Sequence, residues 1–314
     1  MTLSFLGRKG MFFTISALIL LGVLFVSLIF QNRYSFSDRD RVVSLKTLAM
    51  QNFASGLEQD AKKGLFIAGF RAVLGAEEVI FKTDDFINDS KAALLEAVMN
   101  GTVDGMALSA MNQSTLPEWL ARMNVETAKL GIVLNFSIDT LAVEQSSPWS
   151  VDFLMAYSFN VTDTASTAAF YKKVNTTASV SIVGFDDPLY TIFTDNRIIR
   201  AINATPYEGN YASGTDTSNL ISHIDSWYYT NSSGPSFLMR LEGNLSDSSV
   251  GIESIVRLPD LEAQGMTVYE RSGIDYIYFG NTTPTIYAIN STYENWFRLD
   301  AAHLNKYQVD GLKK

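Results

Sequence analysis

The sequence contains no cysteine in 314 residues and only two histidines, His223 and His303. Without cysteine the chain has no disulfide, no catalytic thiol and no cysteine-ligated zinc. The two histidines are far apart in the sequence, so a histidine-rich metal site is not expected. We therefore expect no metal and no cofactor, and a fold that its apolar core alone holds together.

Positive charge is also scarce, because 24 lysines and arginines stand against 33 aspartates and glutamates, a formal net charge of −9. An acidic surface repels phosphates, which argues against nucleic acid as a partner. The sequence has no G-x-S-x-G nucleophile motif, phosphate-binding loop or dinucleotide fingerprint. These absences predict a protein that is not an enzyme, with an extracellular enzyme of undetected type kept as an alternative.

One long hydrophobic run is present, at residues 11–30, and it holds twenty residues without a charge. At about 1.5 Å per residue this run makes a helix of about 30 Å, which matches the hydrocarbon core of a membrane. Arg8 and Lys9 precede the run, and basic residues tend to stay in the cytoplasm. The pattern predicts a single membrane span with a cytoplasmic N-terminus and an extracellular C-terminal head.

The letters RKG at 8–10 followed by MFFT at 11–14 resemble the leader of type IV pilin-like proteins, especially archaeal ones. The resemblance implies that a prepilin peptidase cuts between Gly10 and Met11 and that the apolar helix is retained. It also implies other pilin-like subunits as partners. Ile15 stands where many members of the family have glutamate, which counts against filament assembly more than against cleavage. An uncleaved signal anchor is the alternative, and both interpretations stay open.

Residues 31–83 are predicted to form an amphipathic helical spine. Apolar residues recur at steps of three or four from Val42 to Ala76. Gly56, Gly64, Gly69 and Gly75, which weaken a helix, permit another helix or a sheet to approach closely. Either the spine continues the membrane helix, as in pilins, or residues 35–38 break the two apart and the second becomes the first core helix.

Residues 84–314 are predicted to form an α+β head. Helices are expected at 85–99 and at 116–129, the second opened by a capping box of Thr115 and Glu118. Period-two alternation then predicts strands at 132–138, 151–162 and 174–183. The expected fold is a long N-terminal helix leading into a sandwich-like antiparallel sheet with short helices.

The C-terminal half gives weaker patterns. A hairpin is predicted at 189–203, turning at Asp195 and Asn196, which tolerate left-handed backbone. Further helices are predicted at 219–229, 236–241, 261–264 and 294–307, and short strands at 274–279 and 285–289. The segments GFDDPLY at 184–190, PSFLMRLEGN at 235–244 and DYIYF at 275–279 resemble uncharacterised archaeal membrane-anchored proteins, which implies a location and no chemistry.

Sequons for N-glycosylation are the strongest functional signal. The N-x-[ST] pattern occurs at 11 of 19 asparagines, none of them before residue 88, which spares the anchor and the spine. On the three predicted strands the sequon asparagines fall on the polar face. The candidate glycosylation sites are Asn88, Asn100, Asn112, Asn135, Asn160, Asn175, Asn203, Asn231, Asn244, Asn281 and Asn290.

Other residues carry weaker chemical signals. The carboxylate pairs Asp84-Asp85 and Asp186-Asp187 offer oxygen ligands for Ca²⁺, but turn and helix-cap roles are the favoured interpretation. His223 is one or two residues from Ser222 and Asp225 on a predicted helix, so the three do not face one another as a catalytic triad.

The aromatic run WYY at 227–229 suits sugar stacking or, in the favoured interpretation, core packing. His303 is expected to be a packing or surface residue.

The sequence therefore predicts a leader at 1–10, a membrane or pilin-like helix at 11–30, a spine at 31–83 and an extracellular head at 84–314. The favoured function is a pilin-like, N-glycosylated surface protein that acts through interactions. A single-pass anchored module that binds a ligand or partner is the main alternative.

Overall fold

The computed structural model of the chain describes residues 6–164, 168–290 and 296–314. Helix α1, Leu6–Thr83, has 78 residues and a length of about 117 Å. It runs through residues 35–38 without a break, so the continuous spine is the arrangement found.

Within α1 the side chains of residues 19–28, and of those from residue 44 onward, are described. The rest of the predicted span 11–30, and the candidate cleavage site Gly10–Met11, lie outside the described side chains. Among the residues that were searched, no helix has the combined length and apolarity of a membrane crossing.

From Met50 to Ile80 one face of α1 is buried in the core of the head. Small residues allow this close contact: a Cβ built on Gly69 lies 2.6 Å from Cδ2 of Phe153, and one on Gly75 lies 2.5 Å from Cδ1 of Leu108. The predicted close approach is confirmed at these two glycines and wrong at Gly56, where a Cβ would meet nothing within 4 Å. The second half of the spine belongs to the core of the head.

Helix α2, Ser90–Asn100, and helix α3, Leu116–Lys129, follow α1. α2 begins at residue 90 because the Asp89 side chain accepts a hydrogen bond from the Ala92 amide, and it ends at Gly101 with φ +73°. The Thr115–Glu118 capping box of α3 is confirmed. Between the two helices are strands β1, Thr102–Val103, and β2, Met106–Ala107, and the 3₁₀ turn Ser109–Met111.

The main sheet has three antiparallel strands in the order β3-β4-β5: Ile132–Ser147, Ser150–Asp163 and Ala169–Ser181. Alternate side chains of β4, from Val151 through Tyr157 to Val161, are buried against the helices. Helices cover the inner face of this sheet, so the sandwich-like arrangement is not what the described residues form. The coarser prediction, an α+β fold with antiparallel sheets and short helices, is confirmed.

The remaining elements are short and end in loops. They are α4, Pro188–Phe193; α5, Ser218–Asp225; β6, Thr230–Ser232; α6, Phe237–Leu241; β7, Gly251–Glu253; α7, Leu258–Ala263; α8, Asp275–Phe279; β8, Ile286–Ala288; β9, Arg298–Asp300; α9, Ala301–Lys306; and a 3₁₀ turn, Asp310–Leu312. β6 pairs with β7 and β8 pairs with β9, both antiparallel.

Three predictions in this region were wrong. The hairpin at 189–203 is helix α4 followed by irregular chain, because Asp187 caps the helix and Pro188 fits its first turn. Asp195 and Asn196 do take left-handed backbone, with φ +50° and +59°, and they follow the end of that helix.

The strand at 274–279 is helix α8, whose alternating aromatics pack on several sides. The helix predicted at 294–307 is strand β9 followed by α9, because Asp300 caps a new helix there. Residues 294 and 295 of that prediction lie outside the described part of the chain.

Candidate functional site

All eleven sequon asparagines are accessible in the structure. Ten are exposed and Asn160 is half-buried. Ser291 and Thr292, which complete the sequon of Asn290, lie outside the described residues. Nothing about burial prevents a glycosyltransferase from reaching these side chains.

Three of the sequons share the outward face of the main sheet. Asn135 of β3 lies directly opposite Asn160 of β4, and Asn175 of β5 lies opposite Ala156. Directly opposed side chains in an antiparallel pair have Cβ atoms about 4.5–5.5 Å apart. Asn135 and Asn160 are therefore too close for two bulky sugars to stand side by side without crowding.

A buried cluster of charged side chains, which we call the ionic centre, lies in the core of the head and includes Asp187 of the Asp186–Asp187 pair. Nη1 of Arg240 is 2.6 Å from Oδ2 of Asp187 and 3.1 Å from Oδ2 of Asp275, and all three side chains are fully buried. Burial lowers the pKa of Arg240, but the attraction of Asp187 and Asp275 outweighs burial and raises this pKa above its ordinary value, so the guanidinium stays charged. Tyr229 also donates a hydrogen bond to Asp187.

The other acids of the two pairs also have structural roles. The backbone amide of Asp186 donates to Oε1 of Glu77 at 2.7 Å, which ties α1 to the start of α4. Burial raises the pKa of Glu77 to about 8, and the neighbouring Asp186 charge adds to the effect. Asp84 takes φ +53° and accepts from Asn196, and Asp85 accepts from the next amide. No group of three metal-ligating side chains occurs among the described residues.

His303 is held between two carboxylates. Its Nδ1 is 2.8 Å from Oδ1 of Asp300, and its Nε2 is 3.2 Å from Oε2 of Glu253. Burial lowers the pKa of His303, but the hydrogen bonds to Asp300 and Glu253 outweigh this and raise it to about 9. An imidazolium fixed in this way has no free nitrogen with which to act as a base, and it clamps α9 onto β7.

His223 is buried elsewhere, with Nδ1 3.0 Å from Oγ1 of Thr205. Burial lowers its pKa to about 4, so it is neutral at physiological pH. Asp225, the acid nearest to it in sequence, is exposed and pairs with Arg257 at 3.5 Å. His223 and Asp225, which are neighbours in the sequence, therefore contact different partners.

The aromatic run at 227–229 is used in packing. Tyr229 is buried against the ionic centre. The guanidinium carbon of Arg200 lies 3.2 Å from the centroid of the Trp227 ring. Neither Arg240 nor Asp275 was predicted from the sequence as part of a site. The available signal was an arginine inside the apolar segment 237–241, where a charge needs a buried partner.

An open groove of about 650 Å³ lies between α1 and β5. One wall is a flank of the helix with Lys62, Lys63, Phe66 and Ile67, and the other is Thr177–Ser179. Phe66 and Ile67 are 44% and 49% exposed, so this wall of the groove presents apolar surface to solvent. We call this feature the α1–β5 groove.

α1 also exposes apolar side chains where it has no contact with the head. All of the large hydrophobic side chains described between residues 19 and 28 are more than half exposed: Ile19, Leu20, Leu21, Val23, Leu24, Phe25, Val26 and Leu28. In water this surface is strongly unfavourable, at about 25 cal/mol per Å² of apolar area.

Comparison of the chain with protein-family models, with curated proteins and with solved structures finds no match.

Proposed function

We propose that this chain is a membrane-anchored, N-glycosylated protein of the cell surface, pilin-like at its N-terminus, that acts by binding and not by catalysis. The observation that carries the proposal concerns the single helix α1. Its apolar side chains at 19–28 are exposed, whereas one face of its segment Met50–Ile80 is buried in the core of the head. The proposed anchor and the core of the head are therefore parts of one continuous helix.

Exposed apolar side chains at 19–28 support the anchor. Leucine, valine and phenylalanine point outward all around this part of the helix, without the polar face that a solvated helix has. Such a helix is stable in lipid or against other apolar helices. Either surrounding suits a pilin-like protein, before and after assembly.

The sequons support an extracellular head. Glycan addition needs an accessible asparagine, and none of the eleven candidates is buried. Their absence from residues 1–87 matches the part of the chain that would be in the membrane or packed against other subunits.

The buried titratable groups support binding over catalysis. Arg240, His303 and Glu253 each have partners that fix their charge, and His223 is neutral and enclosed. A catalytic acid or base needs a pKa near the working pH and a route to substrate. These groups instead hold elements of the head together. Glu77, whose pKa burial raises to about 8, is also engaged in structure, because it accepts the backbone amide of Asp186 and so ties α1 to the start of α4.

An anchored binding module is the second candidate, and the α1–β5 groove favours it. The groove is open, lined largely by apolar atoms and flanked by two lysines. This candidate shares the anchor and the glycans with the first and differs in whether the chain stands alone or assembles with pilin-like subunits.

The experiment is mass spectrometry of the N-terminus on native protein from membrane and shed fractions. A mature chain that begins at Met11 supports the pilin-like class, and an intact Met1 supports the simple anchor. Gly10→Val should block the cut, whereas Gly7→Val, a matched change within the leader, should not. Recovery of the protein in the cytosol, with every sequon unmodified, would refute both candidates.

A further inference from the structure

We propose that the free edge of β5, together with the α1–β5 groove, is a docking site for an extended, acidic β-strand of a partner protein. The added strand would extend the main sheet to four strands, with its inward side chains in the groove. This mode of recognition takes its affinity from backbone hydrogen bonds and its specificity from alternate side chains.

The edge of β5 is available for pairing. In the strand order β3-β4-β5, β5 has β4 on one side only. Within the described residues, the backbone of 174–181 makes no hydrogen bond outside the ladder with β4. Every second residue of such an edge directs its N–H and C=O groups away from the sheet, where another strand can pair with them.

This part of the edge also lacks the usual protection. Natural edge strands carry charges or proline that discourage pairing. β5 has Lys172 and Lys173 at its first half, with Lys172 paired to Glu58. The following residues 174–181, VNTTASVS, contain neither a charge nor a proline. A glycan at Asn175 would stand on the outward face of the sheet, and the inward face beside the groove would stay open. The unprotected half is the half beside the groove.

The groove runs along the edge and not across one face of the sheet. Thr177 and Ser179 are exposed on the outward face and Ala178 is buried on the inward face, yet all three line it. A cavity touched by both faces of one strand lies at the strand's edge. Phe66 and Ile67 of α1 form its opposite wall, at the position that the inward side chains of an added strand would occupy.

The charge of the groove selects the partner. Lys62 and Lys63 are exposed at the groove, and no hydrogen bond or ion pair of the described residues involves either one. The chain as a whole has a net charge of −9, but at this groove two lysines lie beside the apolar wall. Carboxylates on the incoming strand would pair with them.

A fatty carboxylate could pack its acyl chain on the apolar wall and pair its carboxylate with the lysines. It would leave the backbone N–H and C=O groups at the edge of β5 without partners. The free backbone groups are the feature that favours a strand over an amphiphile. The two occupants give different results in hydrogen exchange, because an acyl chain cannot bond to amides.

The binding test uses the full chain in lipid nanodiscs and a fluorescein-labelled peptide of ten alternating valines and threonines with a glutamate at each end. A lysine-ended peptide of the same sequence is the charge control. We expect the glutamate-ended peptide to bind at least tenfold more tightly by fluorescence anisotropy. Replacing Lys62 and Lys63 together with glutamate should reverse that preference. Equal binding of both peptides, or none, would overturn the proposal.

A matched pair of variants tests the apolar wall. Ile67→Ala should weaken peptide binding several-fold, whereas Leu74→Ala, an exposed apolar residue further along α1, should not. Because both side chains are exposed, circular dichroism should report an unchanged fold. If both variants bind like the original chain, the groove is not the contact surface.

Hydrogen exchange supplies the decisive readout. Peptide binding should slow exchange at least tenfold at the alternate amides of residues 174–181 that point away from β4, with β3, the opposite edge of the sheet, as the internal control. Peptide binding that leaves these amides unprotected would show that the site takes a side chain and not a strand. Displacement of the peptide by dodecanoate, without protection of these amides, would show that the site takes an amphiphile.

Discussion

Gly69 of α1 lies directly against the ring of Phe153 in β4, with room for a hydrogen atom and none for a methyl group. A Cβ at Gly69 would be 2.6 Å from Cδ2 and 2.8 Å from Cε2 of that ring. Both residues are buried, and Phe153 is held on its other sides by the sheet. The distance between spine and sheet is therefore set by the absence of a side chain at one position.

Gly69→Ala should destabilise the head by about 1–3 kcal/mol, because the added methyl overpacks a filled core. Gly56→Ala is the matched control, since a Cβ there meets nothing within 4 Å on the same helix. That variant should gain about 0.5–1 kcal/mol from helix propensity. Urea unfolding followed by tryptophan fluorescence measures both, and a stabilising Gly69→Ala would show that spine and sheet are not in tight contact.

Arg240→Met should cost about 3–5 kcal/mol, because it leaves Asp187 and Asp275 buried without a positive partner. Lys129→Met removes a lysine from an exposed ion pair with Glu126 and should leave the midpoint of unfolding unchanged within error. Thermal or urea unfolding compares the two. If the arginine variant proved as stable as the original chain, the ionic centre would not hold the head together.

His303 should make stability fall as the pH rises. Its pKa is about 9 in the fold, above the ordinary 6.5, so the folded state keeps a proton that the unfolded chain releases. The stabilisation is complete below about pH 6.5 and is lost as the pH passes 9, a change of about 3 kcal/mol.

The measurement is the free energy of unfolding at pH 6, 7.5 and 9.5, for the original chain and for His303→Gln. Glu77, with a pKa of about 8, adds a slope of the same sign and stays in both proteins. The difference between the two profiles therefore belongs to His303. Parallel profiles would mean that the clamp between Asp300 and Glu253 does not exist in solution.

The opposed pair Asn135 and Asn160 should rarely carry two glycans on the same molecule, because their Cβ atoms lie side by side on the sheet. Site-resolved mass spectrometry of intact glycopeptides should find the two sites anticorrelated. Asn135→Gln should raise occupancy at Asn160, whereas Asn88→Gln, outside the sheet, should not. Full occupancy of both sites on one molecule would contradict the steric argument.

Local patterns in the sequence predicted the local structure well. The capping box at Thr115 and Glu118 and the three alternating strands follow from backbone chemistry and side-chain period, and the structure confirms them. The glycines of the spine were expected to permit a close approach, and Gly69 and Gly75 do so. The capping box and the strands depend on neighbours within a few residues, whereas the glycines of the spine meet partners that are distant in the sequence.

The errors lie where distant residues decide. Residues 275–279 alternate like a strand, but Asp275 meets Arg240 and Ser254 from other parts of the chain and begins a helix there. Likewise the layer opposite the sheet is α1 and not a second sheet, which the period of single strands does not indicate.

Residue type and short spacing were enough to fix the main strands of the head, the capping box, the sequons and the apolar run at 11–30. Folding in three dimensions was needed to join Arg240 to Asp187 and Asp275, to hold His303 between two carboxylates, and to leave β5 with a free edge beside α1. Those relationships join residues tens or hundreds of positions apart, and burial, which sets their charge and accessibility, exists only once the chain has folded.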